Sequence, residues 1–353
     1  MPRPNILFVF TDQQRHDTIA ALDNPIIRTP SLDRLVAEGT AFTSCYTPSP
    51  VCVSARCSLV TGQPPHRTGC DDNMPQPQHL PSFMDCLSAA GYQCHGIGKM
   101  HFTPNRDHLW GFESRLISEE GAGAQDVFLE HLRAQGFGHV HDPHGVRSEM
   151  YYVPQPSQLP ARLHHTAWTA DRSLEFLEQR DGSRPFFLWT SFIKPHPPFE
   201  VPTPWNKLYR APEMPLPKRP PGYQALWTWQ NRHQNRYKWR DNGVDDNLVR
   251  TMRAAYYGCI SFIDFHLGRI LEALERRGEL DNTLILFSSD HGEHLGDYDC
   301  FGKRSFLDTA ARVPLLARWP GHLAAGVRCE AVTSLLDIAP TFCAAAATAP
   351  PAT

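Results

Sequence analysis

Cys52 opens the segment Cys52-Val-Ser-Ala-Arg56-Cys-Ser-Leu59-Val-Thr-Gly62. The residues from Ser54 to Thr61, stopped by a glycine, read as a short helix. A cysteine just before a helix start lies near free backbone N–H groups and their partial positive charge. That position lowers a thiol pKa and suits an anion. Arg56, four residues on, shares the helix face of Cys52 and can pair with the same anion. The pattern fits equally a small buried cysteine on a core helix, and spacing alone leaves both readings open. Four more polar residues stand just past runs that read as strands: Asp12, Lys99, His196 and Asp290. Parallel strands end on one edge of a sheet, where such folds bind ligands. The pattern therefore groups residues far apart in the chain.

The positioning elements follow from apolar periodicity. Strands are expected over Asn5 to Thr11, Gln93 to Ile97, Pro185 to Phe192, Thr283 to Ser288 and Val313 to Arg318. Thr29-Pro30-Ser31-Leu32-Asp33 opens a helix, with Thr29 as N-cap, Gly39 as stop and Leu32, Leu35 and Val36 as its buried stripe. Further helices are expected over Ser82 to Ala90, Thr166 to Gln179 and Asn247 to Arg277. Strands alternating with helices predict an α/β fold, a mostly parallel, doubly wound sheet with helices on both faces. Residues 103 to 165 and about 200 to 245 read as irregular. The stretch from Cys343 to Thr353 is rich in Ala and Pro and reads as frayed. The expected organisation is one catalytic domain over 1–345 and a low-complexity tail over 346–353.

With 353 residues the chain can form one large core or two ordinary domains. A net charge of -3 with scattered Lys and Arg speaks against a nucleic-acid partner. The apolar run Ile6 to Phe10 is too short for a signal peptide, and no run approaches a membrane span. A cytoplasmic enzyme without a membrane partner is expected, and its ten cysteines then read as mostly reduced.

The Cys52 segment resembles the signature of the sulfatase family, Cys-x-Pro-Ser/Ala-Arg followed by x-x-x-Leu-Thr-Gly. Cys52, Ala55, Arg56, Thr61 and Gly62 match in register, and Ser54 replaces the usual proline. Gly98-Lys99-Met-His101 resembles the family's Gly-Lys-x-His element, and Lys194-Pro-His196-Pro-Pro-Phe199 its Pro-His-x-Pro-Phe loop. Asp290-His291-Gly292-Glu293 and Gly302-Lys303 resemble the metal and lysine elements. The matches run in the family's order over about residues 5 to 345. The resemblance implies an alkaline phosphatase-like fold with the C-terminal subdomain largely absent. It implies a sulfuric ester hydrolase whose Cys52 is oxidised to formylglycine by a formylglycine-generating or other maturing enzyme. Asp12, Gln13, Asp290 and His291 would join the modified Cys52 around one divalent ion. The oxygen donors favour Ca²⁺, while His291 admits Mn²⁺ or another transition metal. The Asp-Gln and Asp-His pairs are similar to the branch of choline sulfatases and phosphonate monoester hydrolases.

The family's reaction, carried onto these positions, has the hydrated aldehyde at residue 52 attack sulfur in line. Arg56, Lys99, Lys303 and the metal would offset charge on the transferring group. His196 or Lys303 would protonate the leaving alcohol, and His101 would take a proton from the second hydroxyl so that sulfate leaves. Asn73, Lys99, His196 and Lys303 are the expected substrate contacts, for a small-molecule sulfate ester. Ser54 lacks proline's restraint on the extended chain, so maturation is expected to be incomplete. Hydrolysis of phosphonate monoesters or phosphodiesters on the same residues is the near alternative, and a non-catalytic relative the distant one. His164, His165 and His294 are expected to be structural or surface residues. The alcohol and the oligomeric state stay open.

Overall fold

All eight residues of Asn5–Asp12 are buried, as befits a strand with neighbours on both edges and helices on both faces. The computed structural model describes residues 3–121, 126–147, 151–238 and 245–351. Parts of the 103–165 and 200–245 stretches, and the last two residues of the expected tail, lie outside the described residues. In chain order the elements are β1 (Asn5–Asp12), α1 (Pro30–Glu38), β2 (Thr40–Tyr46), α2 (Cys52–Thr61), α3 (Pro65–Thr68), α4 (Phe83–Ala89), β3 (Gln93–Gly98), β4 (Ser114–Ile117), α5 (Val127–Ala134), β5 (Gln155–Pro156), α6 (His165–Gln179), β6 (Phe186–Pro195), β7 (Glu200–Val201), α7 (Trp229–Lys238), α8 (Asp246–Arg276), β8 (Thr283–Ser289), α9 (Asp308–Ala311), β9 (Arg312–Val313), β10 (Leu315–Arg318), β11 (Val327–Ser334) and α10 (Ile338–Ala345).

The main sheet runs β11-β2-β10-β8-β1-β6-β3-β4, with β9 paired to β2. β8, β1, β6, β3 and β4 are parallel neighbours, while β10 is antiparallel to both β8 and β2. Alternation along β1 sorts its side chains. Leu7 and Val9 join one apolar cluster with Leu32 of α1, Trp168 of α6, and Ile263 and Leu267 of α8. Ile6, Phe8 and Phe10 join the other with Leu59 of α2, Phe83 of α4 and Phe342 of α10. Trp189 of β6 centres that second face, 5.2 Å from Phe8 and 5.8 Å from Phe10 between ring centroids. The sheet is thus doubly wound. Among the described residues no helix is long and apolar enough to cross a membrane.

Several local expectations need correction. Thr29 precedes α1 but does not cap it. Asp264 of α8 does so, accepting from the amides of Ser31 and Leu32 at 3.1 and 2.8 Å. α2 starts at Cys52, two residues earlier than expected. The stretch from 103 to 165 contains the edge strand β4 and helix α5, and the 200–245 stretch contains α7. Cys343 and Ala346 are fully buried rather than frayed, because Ile338 and Phe342, one turn apart on α10, anchor that helix in the second cluster.

Candidate active site

Asp12 ends β1, Asp290 directly follows β8, His196 directly follows β6 and Lys99 directly follows β3. These four strands are parallel, so the four residues meet at one edge. The backbone there is sharply turned. Gln13 and His101 adopt left-handed φ of 70° and 58°, uncommon outside glycine. At Gly98 a Cβ would lie 2.0 Å from the Ser191 carbonyl oxygen, so only glycine lets β3 hug β6 and deliver Lys99.

The first residue of α2 faces this edge. Cys52 Sγ lies 2.7 Å from Lys303 Nζ, 3.2 Å from His291 Nε2 and 3.8 Å from Asp12 Oδ1. Asp12, Cys52, Asp290 and His291 each offer one ligand atom within 4.8 Å of the others, and all four are buried. Two carboxylates, a sulfur and an imidazole make a donor set that fits one divalent cation. Gln13 adjoins this set. Its amide N donates to Asp290 Oδ1 at 3.0 Å, and its Oε1 accepts from Lys303 Nζ at 2.9 Å. Its Nε2 donates to Glu293.

Arg56 does not face the cavity as its helix position suggested. Its side chain is fully buried and donates to Asp290 Oδ2 through Nε at 2.9 Å and to Asp12 Oδ2 through Nη2 at 3.3 Å. It therefore orients the two carboxylates from behind.

On the other side, a cavity of about 760 Å³ is lined by Cys52, Asn73, Lys99, His101, His196 and Lys303, among others. All six are residues singled out by sequence. Lys99 Nζ bridges Asp12 Oδ2 at 2.8 Å and Glu120 Oε2 at 2.9 Å. Asn73 Oδ1 accepts from the Val53 amide at 3.3 Å, capping an α2 whose N-cap, Val51, has no side-chain acceptor. Glu120, Arg147, Tyr151 and Trp229 also line the cavity and were missed. They sit in the two stretches read as irregular, and nothing in their spacing marks them. The adjacent pair Glu119-Glu120 after an apolar Leu116-Ile117 was the one available signal.

The walls are cross-braced. Arg15 donates to the carbonyls of Glu293 and His294, both at 3.0 Å, and pairs with Asp297 at 2.9 Å, tying the loop after β1 to that after β8. His294 bonds Thr309 and Ser305, in keeping with a structural role. His164, His165 and Glu200 also lie close together. However, His164 Nδ1 accepts from the Thr166 amide, so Nε2 must carry the proton and donate to Glu200 at 2.8 Å. Lys194 Nζ stands 4.0 Å from the same carboxylate. This cluster is a buried clamp on the loop of His196, not a cation site.

Electrostatics favours an ionised nucleophile. Burial opposes a thiolate at Cys52, but Lys303 and His291, with hydrogen bonds from His101 and His196, hold the thiol well below its usual range. Burial and the Cys52 charge also oppose ionisation of Asp12, yet Lys99, His196 and Lys303 keep it below the usual carboxylate range. Lys99 is held well above the usual lysine value, against burial, by Asp12 and Glu120.

Comparison with known proteins agrees with this arrangement. A family profile described as Sulfatase matches residues 4–348. An arylsulfatase of Clostridium perfringens is 32% identical over 366 residues, covering 96% of this chain and 74% of that protein. A choline-sulfatase of Rhizobium meliloti is 31% identical, covering 96% of this chain and 67% of its own length. The crystal structure of a phosphonate monoester hydrolase of Agrobacterium radiobacter superposes with a TM-score of 0.84 at 28% identity, over 99% of this chain and 74% of that one. With the profile spanning nearly the whole chain, this protein belongs to the sulfatase family of sulfuric ester hydrolases.

Proposed function

We propose that the chain hydrolyses small-molecule sulfate esters with a nucleophile derived from Cys52, beside one divalent cation, Ca²⁺ by preference. The observation that carries this reading is the setting of Cys52 Sγ, 2.7 Å from Lys303 Nζ and 3.2 Å from His291 Nε2, on the wall of the cavity. That sulfur stands in for the oxygens of a hydrated formylglycine, the species a maturing enzyme would leave at this position.

Asp12, Asp290, His291 and residue 52 would hold the ion, with Gln13 beside them. When bound, the ion supplies positive charge that favours a deprotonated nucleophile and offsets charge on the transferred group. Formylglycine supplies what cysteine lacks, a second hydroxyl through which the sulfate can be released. The chain's own side chains do the rest. Lys99 and Lys303 line the cavity as ammonium groups placed to hold sulfate oxygens as charge shifts onto them. His101 lies within reach of residue 52 to accept its proton. His196, with Nδ1 engaged by Pro197 O at 2.7 Å, turns Nε2 toward the leaving oxygen and gives it a proton.

A second reading, hydrolysis of phosphonate monoesters, draws on the structural likeness to the Agrobacterium enzyme. Tetrahedral anionic esters present the same face to Lys99 and Lys303. The test pairs mass spectrometry of the peptide carrying residue 52 with assays on 4-nitrophenyl sulfate and a 4-nitrophenyl phosphonate monoester. We expect formylglycine at 52, activity that tracks its fraction, and kcat/KM favouring the sulfate. Full turnover by protein with unmodified Cys52 overturns the nucleophile, and a preference for phosphonate overturns the substrate.

A further inference from the structure

We propose that Glu120 is a positioning residue of this site, orienting His196 toward the leaving group and fixing Lys99 against the sulfate. The inference rests on the reading of His196 as proton donor and extends it to a residue in the loop after β4, a segment that no motif covers.

Glu120 is nearly enclosed, its side chain 7% exposed, and both of its oxygens are engaged inside the cavity wall. Oε2 accepts from Lys99 Nζ at 2.9 Å. Oε1 lies 3.2 Å from His196 Nδ1 and accepts from Arg147 Nη1 at 2.5 Å. The tautomer of His196 follows from its other neighbour. Nδ1 also lies 2.7 Å from the carbonyl oxygen of Pro197, and a carbonyl can only accept, so Nδ1 carries a proton. That proton is shared between a carbonyl and the Glu120 carboxylate, which fixes the ring and leaves Nε2 as the atom that meets the substrate.

The neighbouring carboxylate extends the device. Glu119 Oε1 accepts from the backbone amides of Met100 and His101 at 2.9 and 2.8 Å. It thereby holds the left-handed turn at His101 that follows Lys99. Two consecutive glutamates at the end of the edge strand thus brace three cavity residues: Glu119 the backbone of His101, Glu120 the side chains of Lys99 and His196. A surface ion pair would not be built this way. Glu120 faces inward, and only its third partner, Arg147, with a side chain 44% exposed, reaches solvent.

The test uses esters that differ in how much they need a proton donor. 4-Nitrophenoxide leaves readily without one, whereas an unsubstituted phenol or an alkyl alcohol does not. In matured enzyme, Glu120→Gln keeps the shape and an acceptor oxygen but removes the charge. We expect kcat/KM to fall about tenfold or less on 4-nitrophenyl sulfate and about a hundredfold or more on phenyl sulfate, mainly in kcat. Glu120→Gln combined with His196→Ala should be slower than His196→Ala alone by no more than the about tenfold or less seen on 4-nitrophenyl sulfate, the share that acts through Lys99. Equal losses on both esters, or the full phenyl sulfate loss recurring in the double variant, would overturn the proposal. The Nδ1–H proton of His196, followed by ¹⁵N-resolved NMR, should sit downfield in the wild type and move upfield in Glu120→Gln. An unmoved signal overturns the proposal whatever the substrate. If the glutamine variant does not fold, Glu120→Asp, which withdraws the carboxylate by one methylene, should give the same ester-dependent loss. Should the wild type turn over phosphonate but not sulfate monoesters, the reading of function falls, and the same two leaving groups on phosphonate esters still decide the role of Glu120.

Discussion

Arg56 shows how much a single buried side chain sets in this molecule. Its guanidinium reaches Asp290 through Nε and Asp12 through Nη2, a fork that a lysine ammonium cannot reproduce. Arg56→Lys is therefore expected to weaken binding of the divalent ion by about 10- to 100-fold, the cost of disordering groups behind metal ligands. Isothermal titration with Ca²⁺ checks this, and unchanged affinity would show that Arg56 does not orient the carboxylates. The two cysteines of the same helix separate cleanly. Cys52 lies at the head of α2 facing Lys303 and His291, while Cys57 is packed with Val53 and Cys70. Cys52→Ala should abolish turnover. Cys57→Ala should leave it within a fewfold and lower the melting temperature slightly, as for a small core truncation. A loss of activity in Cys57→Ala without unfolding would mean that the helix face was misassigned.

At the scale of elements, the clearest case is the start of α2. Ser54 is its third residue, where a backbone N–H has no partner within the helix, so proline is sterically acceptable there. The serine is not idle, because its Oγ donates to the Cys70 carbonyl at 2.6 Å. Ser54→Pro should thus raise the fraction of formylglycine at residue 52 while costing about 1 kcal/mol of folded stability. Peptide mass spectrometry and thermal melts read the two effects, and conversion that does not rise would remove Ser54 as the weak point. The elements legible in sequence were those with a strong apolar signal. β1, β6 and β8 are buried along their whole length and their runs are unmistakable. β2 and β11 escaped because polar or exposed side chains interrupt their apolar pattern, as in Val327-Arg-Cys-Glu-Ala-Val-Thr-Ser334. β4 escaped because four residues at a sheet edge carry too little pattern. The site divides the same way. Asp12, Lys99, His196 and Asp290 were found because each follows a readable strand, whereas Glu120 follows β4, the strand that was not read. α10 was obscured by its alanines, although Ile338 and Phe342 carry its packing.

Over the whole molecule, buried histidines set the response to acid. Burial pushes His16 and His95 down to about 4, and His266 and His294 down to about 3. In the unfolded chain these groups take up protons near 6.5, where the native state does not. The unfolded state then binds more protons, so stability falls as pH drops below about 6.5. Asp264, lifted by burial to about 7, acts in the opposite sense and offsets one of the four. Glu200 is opposed by burial but held down to about 2 by His164 and Lys194, which adds a second loss below its ordinary value of 4.5. The melting temperature should therefore begin to fall between pH 6.5 and 5 and fall more steeply below 4.5. A constant value from pH 7 to 5 would contradict the buried neutral histidines. The strand order carries a different consequence, one of timing. β8 lies between β10 and β1, so the centre of the sheet is filled by a strand made late in the chain. Cys52 is 239 residues ahead of His291, and it is 2% exposed once the sheet is complete. At ribosomal speeds that separation lasts roughly ten to fifty seconds. During this interval the segment around Cys52 has emerged while the β8 edge that will enclose it does not yet exist. The position of one strand thus acts as a clock: it would give a modifying enzyme, as the proposed function requires, access to residue 52 and then withdraw it.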